Sequence, residues 1–161
     1  MTGWTFDPAT LNRLQVLAAL GGFCLGLITL YVPTWVFLRG LPAYDTAAFS
    51  QQHPERKHAP AVFNILSFVV ILTAPLTSIF LLAGVQAWWA PVVFFTFFSN
   101  SLGIFNGIFE AVTGVCPTRG IAYRHSIHHQ FICHPRVRKT GLLRAALGMA
   151  FMAASLILFH A

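Results

Sequence analysis

The chain's 161 residues are 57% hydrophobic and 9% charged. Soluble domains carry about 25% charged residues, so this composition, with a mean hydropathy of +0.70, excludes a water-soluble fold able to cover its own surface. Ten Lys and Arg against four Asp and Glu give a net charge of +6; no aromatic-interleaved basic module accompanies it, so it reads as a topology signal and an attraction to membrane lipids, with no nucleic-acid partner.

Four segments are long enough to cross a bilayer, which takes about 20 apolar residues. In chain order they are 14–38 ("LQVLAALGGFCLGLITLYVPTWVFL"), 61–84, 90–114 and 142–160. None alternates apolar and polar residues as a barrel strand does, so each is expected to be a helix that satisfies its own backbone in lipid. The first is too long for a secretory signal core of about 7–15 residues, and "VFLRGLPAYD" follows it in place of a small-residue cleavage site. The expectation is one all-α domain over 1–161, an integral membrane four-helix bundle.

Basic residues set the orientation. Only Arg13 lies outside the two long loops and their flanks; Arg39, Arg56 and Lys57 follow the first span, and Arg119, Arg124, Arg136, Arg138, Lys139 and Arg144 follow the third. The link "VQAWW" between spans two and three is uncharged. The positive-inside rule then puts residues 39–60 and 115–141 in the cytoplasm, both termini outside, and Trp88 and Trp89 at the outer interface of a bacterial inner membrane. Cys116 and Cys133 face a reducing compartment, which disfavours a disulfide, and Cys24 sits in the first span as a small apolar residue.

The third span carries a polar stripe. Ser99, Gly103, Asn106, Glu110 and Thr113 recur at spacings of four, three, four and three, so they share a helical face that must point into protein or a wet cavity. Gly103 and Gly107 add a small-xxx-small spacing that permits close helix approach. Glu110 is the ionisable residue within the span. It either serves a functional site or is satisfied by Asn106 or a loop arginine.

Seven histidines are present, and six lie in the two long loops: His53, His58, His125, His128, His129 and His134. On a helix His125, His128 and His129 would share one face, and neutral imidazole is a common ligand for Zn, Cu, Fe and Ni. The two clusters can converge at one membrane surface, with Glu110 beneath them as a carboxylate. Against this, nine Lys and Arg and only Asp45 and Glu55 occupy the loops and flanks, a field that repels a dication. The alternative is a polar collar that contacts lipid phosphates or a partner. Cys116, beside Pro117 and near Arg119 and Arg124, has the surroundings of a lowered-pKa thiolate, or is a cysteine buried at a helix end.

"HPERKH" resembles an H-x4-H histidine box, and "HSIHH" matches H-x2-H-H. In this the chain resembles the membrane di-iron hydroxylases and desaturases. The resemblance implies a metal-dependent oxidoreductase acting on a lipid-like substrate. It would take iron or another transition metal, with ligand positions at His53, His58, His125, His128 and His129, and with His134 and Glu110 completing the set. A second reading is a non-enzymatic accessory subunit of a membrane complex, or a homo-oligomer, whose Phe-rich faces ("FFTFFS") pack on neighbours. A third, from topology, is a glutathione-transferase-like membrane protein; "PERKHAPAVFN" offers Glu55, Arg56 and Asn64, at a different spacing from that family's.

Overall fold

A computed structural model describes residues 8–80, 82, 90–119 and 129–160. The elements are α1 (Pro8–Phe37), α2 (Thr46–Gln52), a 3-10 turn (Pro54–Arg56), α3 (Ala59–Phe80), α4 (Ala90–Thr113), β1 (Val115–Arg119), β2 (His129–Cys133) and α5 (Pro135–His160). Among the described residues α1, α3, α4 and α5 are long and apolar enough to cross a membrane. The protein is an all-α, multi-pass membrane bundle of these four helices.

Its polarity is inverted relative to a soluble domain. Phe68, Leu72, Phe80, Val112 and Ile157 are exposed, whereas Thr29, Ser78, Thr96, Ser99, Asn100, Glu110, Thr140 and Arg144 are buried. Lipid accepts the first set and cannot hydrogen-bond the second. The hub is α4: 50% of its span is buried, against 17–28% for the other three. Contacts run in parallel order between α1 and α4, with Gly22 at Thr96, Gly26 at Ser99 and Thr29 at Gly103. They run antiparallel between α4 and α5, with Gly107 at Ala145 and Gly148 at Ile104. This is the up-and-down order of four successive spans.

Small residues bring α4 and α5 together. A Cβ on Gly107 would lie 2.6 Å from the Gly141 carbonyl, and one on Gly141 would lie 2.6 Å from the Ala111 nitrogen. Close backbone approach of this kind drives helix association in lipid. The expected pairing of Gly103 with Gly107 on one contact divides between two neighbours, because Gly103 faces Thr29 of α1.

The long connections fold together as a cap on one face. Helix α4 ends at Gly114, whose φ of 70° suits the left-handed position of a helix C-terminus; its N–H bonds the Glu110 carbonyl at 2.8 Å. The chain then enters β1, which pairs antiparallel with β2 from Val115↔Cys133 to Arg119↔His129. Tyr44 bridges Phe131 from the first connection. Phe49, Phe63, Phe109, Val115 and Phe131 form one apolar cluster, and Leu38, Cys116, Ile132 and Val137 a second. Arg56 ties the connections further, donating to the Gly114 carbonyl at 3.3 Å and to Cys133 Sγ at 2.9 Å.

The last helix begins earlier than residue 142. Pro135 occupies its first turn, where a missing N–H costs nothing, and His134 Nδ1 accepts from Arg136 N at 3.2 Å. Residues 135–141 are therefore helix despite Arg136, Arg138 and Lys139, whose exposed side chains need no bilayer.

Candidate functional site

The bundle's polar centre is built around Arg144 of α5, 2% exposed. Its Nη1 donates to Glu110 Oε1 and its Nη2 to Thr34 Oγ1. The third bond follows from a proline. Pro33 lies inside α1 and has no N–H, so the Thr29 carbonyl four residues back loses its helical donor. Arg144 Nε replaces it at 3.2 Å. One side chain thus joins α1, α4 and α5. Its charge is compensated by Glu110, which is 0% exposed. Taking both ions out of water costs several kcal/mol each, and only this geometry offsets that cost. Among the described residues Glu110 Oε2 has no hydrogen-bond partner.

The Glu110 partner is therefore an arginine within the last span, neither Asn106 nor a loop arginine. The rest of the stripe divides its work. Ser99 donates to the Phe95 carbonyl at 2.7 Å and to the Gly22 carbonyl of α1 at 3.4 Å. Thr113 donates to the Phe109 carbonyl at 2.7 Å and accepts from Val115 N at 3.2 Å, which steers the chain into β1. Asn100, outside the expected stripe, is fully buried; it donates to the Thr96 carbonyl at 2.8 Å and accepts from Thr29 Oγ1 at 3.4 Å.

Cys116 is 0% exposed. Burial pushes its thiol well above the ordinary range, and the neighbouring Glu110 charge pushes it further. The expectation of a lowered-pKa thiolate gives way to its alternative, a protonated thiol buried at the end of α4, chiefly because burial penalises the thiolate.

A cleft of about 730 Å³ opens beside this centre. Leu30, Tyr31, Thr34 and Trp35 of α1, Phe63, Ser67 and Ile71 of α3, and Leu102, Phe105 and Asn106 of α4 line it, with Arg144 in its wall. Leu38, Arg39, Leu41, Pro117, Thr118 and Ile132 line the end nearer the cap. Arg39 stands 5.3 Å from the Trp35 ring centroid, within cation–π range, and has no carboxylate partner among the described residues.

No family model, no curated protein and no solved structure matches this chain.

Among the described residues the histidines of the two connections are distributed through the cap. His53 ends α2, its N–H bonded to the Phe49 carbonyl at 2.9 Å, its ring 5.2 Å from Phe49 and 6.1 Å from Tyr44, and its Nδ1 3.7 Å from Glu55. His58 is exposed at the start of α3. His134 caps α5. His129 opens β2 opposite Arg119, in extended backbone in place of the expected helical face. His125 and His128 lie outside the described residues. Among the described residues no three His, Cys, Asp or Glu side chains gather to hold a metal. Glu110 is committed to Arg144, and the His134 Nδ1 lone pair to the α5 N-terminus.

Proposed function

We propose that the protein binds a lipid-like amphipath in the cleft between α1, α3 and α4. The observation that carries this reading is the cleft itself: about 730 Å³, with largely apolar walls and a few polar groups. Sites for small molecules generally have this size and make-up. Leu30, Phe63, Ile71, Leu102 and Phe105 accept hydrocarbon. Arg39, without a carboxylate partner among the described residues and held over Trp35, receives an anionic headgroup at the mouth. The Glu110–Arg144 pair is already neutral as a unit. Its part is to hold α1, α4 and α5 in register so that the cleft exists before the ligand arrives. The basic residues of both connections support an orientation with the capped face in the cytoplasm of a bacterial cell, both termini outside, and the protein in the inner membrane.

A photoactivatable fatty acid, cross-linked to the protein in detergent micelles, tests this. Labels should concentrate on peptides carrying Tyr31, Ser67 and Leu102, and Leu102→Trp, which fills the cleft, should remove them. Labels spread evenly over the outer faces of all four helices, and unchanged by Leu102→Trp, would overturn the reading.

A further inference from the structure

We infer that the cleft selects amphipaths that carry a hydroxyl or amide group partway along the chain, and that Asn106 reads this group. The inference rests on the cleft being a ligand site, as proposed above. Asn106 lines the cleft, and its Oδ1 is buried with no hydrogen-bond partner among the described residues. Asn100, Ser99 and Thr113 are engaged with backbone carbonyls, and Arg144 with three acceptors. Buried amides are almost always bonded, and an exception calls for a use or a ligand.

The chemistry of the missing partner follows from the amide. The unpartnered atom is Oδ1, an acceptor, so the missing partner must donate, which a hydroxyl or the N–H of a secondary amide does and a plain acyl chain or an ester does not. A carboxylate at this depth would find its countercharge already taken, because Glu110 neutralises Arg144. The charged end therefore stays at Arg39. Asn106 is seven residues before the last residue of α4, Thr113, about 10 Å along the helix axis at 1.5 Å per residue. The ligand's second polar group accordingly sits well below its headgroup.

The test compares stearic acid with a hydroxystearic acid bearing its hydroxyl mid-chain, by native mass spectrometry of the full-length protein and of Asn106→Leu and Asn106→Ala. The natural protein should retain the hydroxylated acid roughly fivefold more tightly, the worth of one hydrogen bond. Both variants should bind the two acids equally while still retaining stearic acid. Equal retention by the natural protein, or a preference that survives in the variants, would overturn the role of Asn106 and leave the cleft reading standing. Retention of neither acid by the natural protein would sink the cleft reading, and this inference with it.

Discussion

Replacing Glu110 with Leu strands the Arg144 guanidinium in the middle of the bundle. Removing one member of a buried ion pair typically costs about 3–5 kcal/mol, because the remaining charge has lost water and gained nothing. Arg144→Met should cost at least as much. It strands the Glu110 carboxylate and also frees the Thr29 carbonyl that Pro33 leaves without a helical donor, an unsatisfied group worth about 1–3 kcal/mol. The double variant removes both charges together and retains only the carbonyl's penalty, so the singles and the double should not add. The expected coupling is about 3 kcal/mol or more, far beyond the roughly 0.3–0.5 kcal/mol scatter of independent sites. At about 2–4 °C per kcal/mol for a chain of this size, Glu110→Leu should melt roughly 6–20 °C lower in detergent and Arg144→Met lower still, and the double should recover most of that loss. A double variant whose loss equals the sum of the singles would refute the claim that this pair is a unit on which the bundle's centre depends.

Gly107→Ala should destabilise the bundle, because its Cβ would meet the Gly141 carbonyl at 2.6 Å, while Gly21→Ala meets nothing within 4 Å and should stabilise α1 slightly, by about 0.5–1 kcal/mol; thermal melts compare the two, and equal effects would discount the α4–α5 contact. Cys116, its pKa raised by burial, stays protonated through neutral and mildly alkaline pH. It should resist iodoacetamide in the folded protein until the pH or denaturation exposes a thiolate; mass spectrometry showing it alkylated at neutral pH as fast in the folded protein as in the denatured one would contradict this. Ala87→Cys, between α3 and α4, should react with an impermeant maleimide from outside intact cells; labelling only after permeabilisation would reverse the orientation.

The four spans were legible because hydropathy depends on the solvent each residue must face, and lipid is an unambiguous solvent. The centre of the bundle was half legible. Spacing put Ser99, Asn106 and Glu110 on one face of α4. The partner of Glu110 is hard to read because Arg144 also serves as an orientation charge, although an arginine ten residues into α5 needs a countercharge as much as a glutamate does. Pro33 was a readable signal as well, since a proline inside a span always frees the carbonyl four residues earlier. The hairpin was not legible. Five-residue strands, one of them containing Pro117, give too little alternation, and Tyr44, which bridges to Phe131, comes from a connection some 87 residues away. A helical face shared by His125, His128 and His129 needs a helix through residue 129, where β2 begins; His125 and His128 lie outside the described residues. The cleft could not be read at all, because it depends on how far α3 stands from α1, which no local pattern encodes.

The most direct measurement is an experimental structure of the full chain in lipid nanodiscs. The account predicts an elongated ligand between α1, α3 and α4, with its headgroup at Arg39, its chain along Leu102 and Phe105, and a polar group within hydrogen-bonding distance of Asn106. A cleft closed by direct packing of α3 against α1, with no ligand between them, would contradict it.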